Sequence, residues 1–149
     1  QIGSRLAHVV CIAGAVPRPG ASMVDSFPFV PRIVSRIVLH FQSEVFSQPE
    51  SIARNSLLNG CPPDKVERAC KRFTMESTKV VTAPVAWSGK TPARATYVKC
   101  LRDKGAMNAG HQSEMAARLG AAVVAMDTCH YPMIEKPADL AALLERAAS

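Results

Sequence analysis

The sequence predicts an α/β domain in which a parallel sheet is covered by helices, and three observations carry that prediction. Short, almost continuously apolar runs, of the kind buried on both faces of a parallel sheet, recur at residues 8–13, 95–101 and 121–126. Between and after them lie segments whose apolar residues fall at steps of three and four, the period of a helix. The resulting order is strand, helical insertion, strand, helix, strand, helix, the alternation that parallel sheets require.

Each element follows from its residues. Residues 1–7 read as the end of a helix leading into the first strand, His8-Val9-Val10-Cys11-Ile12-Ala13, which Gly14 closes. Pro17-Arg18-Pro19-Gly20-Ala21-Ser22 then breaks structure as a loop. From Phe27 to Phe46, Val30, Ile33, Val34, Ile37, Val38, Phe41 and Val45 share one helical face, with Pro28 and Pro31 near the start, where proline is tolerated. Asp64, with Glu67 three residues on, reads as a capping box for a second helix that carries Val66, Ala69, Cys70 and Phe73. No strand pattern lies between the two, so residues 22–80 are expected to form a helical cap inserted between one strand and the next.

Residues 82–89 read as loop, and residues 95–101 as the second strand, ending at Arg102-Asp103-Lys104-Gly105. A helix with Gln112, Met115, Ala116 and Leu119 on one face follows, stopped by Gly120. The third strand delivers Asp127-Thr128-Cys129-His130-Tyr131-Pro132-Met133-Ile134-Glu135-Lys136-Pro137. The last helix opens near Pro137, turns Leu140, Leu143, Leu144 and Ala147 inward, and places Arg146 where a cation suits the helix dipole.

Composition narrows the function classes. With 149 residues, 48% hydrophobic and 20% charged, the chain suits one globular domain. No apolar run approaches the roughly 20 residues of a membrane span, and the start lacks the basic-then-apolar order of a secretory signal. A soluble, cytoplasmic protein is expected. The five cysteines are irregularly spaced without a C-x-x-C pair, which suits reduced, mostly buried thiols and argues against a disulfide framework or a zinc site. The formal charge of +6 is scattered. Its one dense group, Lys65, Arg68, Lys71 and Arg72, is interrupted by Asp64 and Glu67 and lacks aromatics for stacking, so a solvated helix face is expected and no nucleic acid.

The chemistry sits at two strand ends. Asp103 follows the second strand and His130 the third, and parallel strands bring both ends to one rim of the sheet. An aspartate and then a histidine, separated by one strand-helix-strand crossover, are the second and third members of a Ser, Asp, His order. A buried carboxylate in that arrangement fixes the imidazole tautomer and stabilises the imidazolium formed when histidine takes a proton from serine.

Three segments carry a family resemblance: residues 6–20, residues 97–103 with Gln112, and His130-Tyr131-Pro132-Met133 with Pro137. Together they resemble the C-terminal part of an α/β-hydrolase, most similar to bacterial esterase-like relatives of plant methylesterases and hydroxynitrile lyases. The resemblance covers nearly the whole chain. It implies that Asp103 is the triad acid and His130 the catalytic base, that the strands are the sixth to eighth of the fold, and that residues 22–80 are its cap. It also implies ester hydrolysis, with a hydroxynitrile-lyase-like activity on the same residues or a non-catalytic remnant as alternatives. The family's G-x-S-x-G nucleophile elbow is absent from these 149 residues; Gly3-Ser4-Arg5 does not satisfy it. The expectation is therefore a partial hydrolase domain over residues 1–149, inactive by itself, with the serine upstream.

Other residues have narrower roles. Asp127 is the rival acid, although its closeness to His130 in sequence suits loop ordering. Cys129 beside His130 raises a thiol nucleophile, but adjacent side chains point apart. His111 is placed at a helix start, and His8 and His40 on element surfaces. Trp87, Met133, Phe27 and Phe29 are weak candidates for lining an acyl pocket, a role that competes with ordinary packing. No cofactor or metal is expected, the partner is a small-molecule ester, and the open edge of the first strand offers a route to oligomers.

Overall fold

The computed structural model describes residues 6–41, 44–91, 94–105 and 107–148. The helix end expected over residues 1–7 and the Gly3-Ser4-Arg5 segment lie largely outside them. Three strands, β1 (His8–Ile12), β4 (Arg94–Cys100) and β5 (Ala122–Met126), form a parallel sheet in the order β1-β4-β5. Register runs from His8 opposite Arg94 to Ile12 opposite Val98, and from Thr96 opposite Ala122 to Cys100 opposite Met126. The two smaller strands, β2 (Val45–Phe46) and β3 (Glu76–Ser77), pair antiparallel between β1 and β4 in the chain.

The two faces of β4 explain the layers. Tyr97, fully buried, joins Val16, Met107, Met115 and Ala116, with Cys11, Phe27, Trp87 and Leu119 packed around them. Met115 and Ala116 belong to α5 (Ala109–Leu119), so that helix covers this face. Val98, one residue on and therefore on the other face, packs with Met126, Leu140 and Leu143, and with Val10 and Ile12 of β1. Leu140 and Leu143 belong to α7 (Pro137–Ala148). Helices on both faces of a parallel sheet are the arrangement that apolar strands demand. Tyr97 satisfies its hydroxyl by donating to the Gly14 carbonyl at 2.6 Å.

Local signals set the ends of α5. Asn108 caps it by accepting from the Gly110 and His111 amides, and Gly120 ends it at φ 67°, the left-handed conformation that glycine adopts without a Cβ penalty. Ala13 leaves β1 in the same region, at φ 46°, with its amide held by the Val98 carbonyl at 3.0 Å. His8 ties β1 to both neighbours, through Thr96 Oγ1 at 2.9 Å and the Ala147 carbonyl at 2.6 Å.

Between β1 and β4 lie a 3₁₀ turn (Val24–Ser26), α1 (Phe29–Phe41), α2 (Glu50–Ile52) running into a π-helical turn (Ala53–Leu57), α3 (Pro63–Cys70) and α4 (Thr78–Thr82). Two details depart from the pattern reading. The first helix stops at Phe41 rather than Phe46, and Val45 and Phe46 pair with Ser77 and Glu76, a ribbon too short to leave an alternating signature. In α3, Pro63 takes the first turn and Pro62 the cap position. Asp64 accordingly makes no cap and pairs with Arg68, while Glu67 pairs with Arg54 and Lys71. Helix α1 buries none of its residues: Val30, Ile33, Val34, Ile37 and Val38 are all exposed. Among the described residues no helix is long and apolar enough to cross a membrane.

The contrast between α7 and α1 is measurable. Leu140→Ala should cost roughly 2–4 kcal/mol in urea unfolding, because a well-packed core side chain leaves a cavity. Val34→Ala on the uncovered face of α1 should stay within about 0.5 kcal/mol. Equal losses at the two positions would show that α1 is packed in solution.

Candidate functional site

Beyond the ends of β4 and β5 the backbone continues to pair. Leu101 donates its amide to the Met126 carbonyl at 2.9 Å, and Arg102 to the Thr128 carbonyl at 3.0 Å. These bonds carry the two following loops out side by side on one rim of the sheet. Asp103 and His130, 27 positions apart in sequence, meet there with Nδ1 of the imidazole 2.6 Å from Oδ2 of the carboxylate.

The Asp103 side chain is wholly buried, so its charge has to be satisfied by donors. Three N–H groups do so. His130 and Gln112 Nε2 both donate to Oδ2, the latter at 2.7 Å, and the Gly105 amide donates to Oδ1 at 2.8 Å. Gln112, itself fully buried, is completely used: its Nε2 also donates to the Met107 carbonyl at 2.7 Å, and its Oε1 accepts from the Cys100 amide at 2.8 Å. An amide that spans strand end, loop and carboxylate fixes the carboxylate plane. A carboxylate at Nδ1 requires the proton to be on that nitrogen, which leaves Nε2 as the free lone pair of the neutral ring. His130 is about a quarter exposed, and the Tyr131 ring packs edge-on to it at 4.9 Å. Among the described residues no group is hydrogen-bonded to Nε2.

A second carboxylate shapes the histidine loop. A short helix, α6 (Pro132–Glu135), ends in Glu135, whose side chain turns back under the loop. There it accepts the Cys129 amide at 2.7 Å and pairs with Arg102. Arg102 in turn holds Asp127 Oδ1 at 2.9 Å. Asp127 thus orders the loop and stays clear of the histidine, while Glu135, which no periodicity singles out, is the anchor. Burial works against the Glu135 carboxylate, but the Cys129 amide and Arg102 outweigh it and hold the group below the usual carboxylate range. Burial also lifts the Cys129 thiol far above its ordinary range, and its Sγ lies 3.4 Å from that of Cys61, so it is not poised as a nucleophile beside His130.

The remaining sequence candidates separate. Trp87 and Phe27 pack against the Val16 and Tyr97 cluster, with Trp87 Nε1 donating to the Pro17 carbonyl at 3.0 Å. Met133 is exposed on α6, three residues beyond His130, and Phe29 is exposed at the start of α1. His111 sits in the first turn of α5, where its amide meets the Asn108 cap. A hollow lined by Asp25, Arg36, Ile37, His40 and Phe41 lies against α1, and neither Asp103 nor His130 lines it. Cys61, Cys129 and Glu135 hold the one cluster of metal-type ligand atoms found among the described residues, all within 4.8 Å of one another.

The loop anchor carries a pH signature. A carboxyl whose native pKa lies below its unfolded value stabilises the fold fully above the ordinary glutamate pKa of about 4.3 and loses that contribution as pH falls through the native value. The acid side of a Tm-against-pH curve should therefore flatten in Glu135→Gln, with a lower plateau at pH 7. An unchanged acid limb would show that Glu135 does not anchor the loop.

No family model matches the chain, and no curated protein does. Solved structures do. The chain is similar to an extracellular α/β-hydrolase from a Paenibacillus species, described as sharing structural and functional homology with tobacco salicylic acid binding protein 2, at TM-score 0.73 and 14% identity. It is also similar to a mutant of polyneuridine aldehyde esterase, at TM-score 0.67 and 13% identity. The matches cover 94% and 96% of this chain but only 61% and 62% of those proteins. With a parallel three-stranded sheet, helices on both faces and this likeness, the chain has the fold of the C-terminal portion of an α/β-hydrolase.

Proposed function

We propose that this chain supplies the acid and the base of a Ser-Asp-His triad that hydrolyses carboxylic esters, with the serine contributed by residues outside these 149. The observation that carries the reading is the 2.6 Å bond from His130 Nδ1 to a buried, three-fold hydrogen-bonded Asp103, which leaves Nε2 open. Two facts support an external nucleophile: no G-x-S-x-G occurs in the sequence, and the chain spans less than two thirds of the hydrolases it resembles.

In this mechanism His130 Nε2 takes the hydroxyl proton as serine attacks the ester carbonyl, and the imidazolium that forms is stabilised by Asp103. His130 then returns the proton to the leaving alcohol, giving an acyl-enzyme, and repeats both steps with water. The chemistry calls on no cofactor or metal. The segment over residues 22–80 serves as the cap, and Met133, exposed beyond the histidine, meets the acyl part of a small ester. Trp87 and Phe27 pack in the core around Tyr97 and are not assigned a contact with the ester. The five free cysteines favour a reducing compartment such as the cytoplasm, and the edge of β1 left unpaired among the described residues is the site of any self-association.

In a form that carries the serine, His130→Ala should lower turnover of a short-chain aryl ester by about 10³-fold or more, because the base is gone, and Asp103→Asn comparably, because the neutral amide neither holds the proton on Nδ1 nor stabilises the imidazolium. The 149-residue chain should not react with a fluorophosphonate probe. Undiminished hydrolysis by the His130 variant, or labelling of the isolated chain, overturns the assignment. Cyanide release from a cyanohydrin in preference to ester hydrolysis would place the chemistry with the lyases instead.

A further inference from the structure

We infer that Cys61 and Cys129 form a redox-modification site, a thiol pair that a low-molecular-weight disulfide converts into a cross-link between the segment ahead of α3 and the histidine loop. The two residues are 68 positions apart, yet their Sγ atoms lie 3.4 Å from one another. A disulfide needs about 2.05 Å, so the sulfurs must close by only about 1.3 Å. Among the described residues no other two thiols are within hydrogen-bonding reach.

Both backbones are held where the pair needs them. Cys129 donates its amide to Glu135. On the other side, Asn59 Nδ2 donates to the Arg102 carbonyl at 2.7 Å, and Lys65 Nζ to the Ile134 carbonyl at 3.0 Å. Gly60, at φ 93°, lies so close to the Arg102 guanidinium that a Cβ there would collide with it. Two segments distant in sequence are thus clamped face to face, with one thiol from each pointing into the seam.

The exchange balances. Cys61 is the accessible member, half-buried, whereas Cys129 is fully buried. Burial raises the Cys61 thiol, and the Glu135 carboxylate adds to that effect; its hydrogen bond with Cys129 and, more weakly, Lys65 and Arg102 oppose it. As thiolate, Cys61 attacks the oxidant disulfide, forming a mixed disulfide and releasing one thiol. Cys129, too buried to ionise by itself but held 3.4 Å from Cys61, then attacks the Cys61 sulfur as its proton passes to the departing thiolate, which leaves as the second thiol. Two protein thiols are oxidised by two electrons, and the small disulfide is reduced to two thiols that carry away the two protons. The same two sulfurs with Glu135 resemble a site for a thiophilic dication, but two observations disfavour that occupant. Both Glu135 oxygens are already engaged, by Arg102 and by the Cys129 amide, and the cations Arg102 and Lys65 flank the seam.

The test uses the 149-residue chain with oxidised glutathione, followed by alkylation and mass spectrometry. Two of the five thiols should become unreactive with a mass loss of about 2 Da, the mark of two hydrogens removed. A tryptic digest should join residues 55–65 to residues 119–146, and dithiothreitol should release them. Cys61→Ser should abolish the link, and Cys70→Ser should leave it intact. The inference is overturned by five reactive thiols after treatment, by a stable glutathione adduct, or by a cross-link mapped to another pair. Stoichiometric binding of zinc chloride that protects both thiols, lost in Cys61→Ser, would also overturn it in favour of a metal site.

Discussion

A single buried carboxylate organises this end of the molecule. With its side chain fully out of water, Asp103 is tolerable only if donors surround it, and the chain spends His130, Gln112 and the Gly105 amide to do so. Each donor comes from a different piece: the loop after β5, the second turn of α5, and the loop after β4. Satisfying one charge therefore positions three segments at once. Hydrogen bonds to a charged group contribute about 1.5–3 kcal/mol each, and the cost of orphaning a buried charge is larger still, so the geometry around His130 is held by the penalty for disturbing it.

Gln112 shows how tightly the arrangement is coupled to the sheet. Its amide reaches the Cys100 N–H, the last residue of β4, in the same stroke that it grips Asp103. The carboxylate is thereby referenced to the rigid strand and not only to the loop that bears it. Glu135 does the corresponding work on the histidine side. It accepts the amide of Cys129, next to His130, and engages Arg102, next to Asp103, so the two loops are braced against each other one residue away from the Asp103–His130 pair.

Much of this was legible in the sequence, and the boundary of what was legible has physical causes. The three strands, α5 and α7 follow from apolar periodicity, and Tyr97, Val98, Met115, Leu140 and Leu143 are covered as the pattern marks, but β5 is not buried on both faces as its apolar run predicts: Val123 and Val124 are exposed, as is Leu144 of α7. Asp103 and His130 follow from strand ends, since parallel strands deliver both to one rim. Gln112 was legible as one of the buried positions of α5 and as a residue that carries the family resemblance; nothing in its spacing announces that a buried polar group there clamps a carboxylate. Glu135 was invisible, because its role depends on a four-residue helix turning back under its own loop. The β2–β3 ribbon was missed because two-residue strands carry no alternation. Helix α1 misled in the other direction: its apolar stripe predicts burial, yet that stripe is open to solvent among the described residues.

That exposed stripe and the dyad bear on the same issue from opposite sides. Asp103, Gln112, His130 and Glu135 all come from one strand-helix-strand unit and its trailing loop, so their geometry closes through contacts local to that unit. On the proposed reading, the base and its orienting acid are therefore preorganised before any nucleophile is present. Besides the exposed Val123 and Val124 of β5, two further surfaces are left open: the outer edge of β1 and the apolar side of α1. An unpaired parallel edge and an uncovered stripe of Val30, Ile33, Val34, Ile37 and Val38 are what a sheet presents where further strands and helices are to be added. On the proposed reading, the segment that brings the serine would also pair with β1 and cover α1. Supplying the nucleophile and completing the core would then be one event, and the hydroxyl would arrive at an imidazole already oriented to receive its proton.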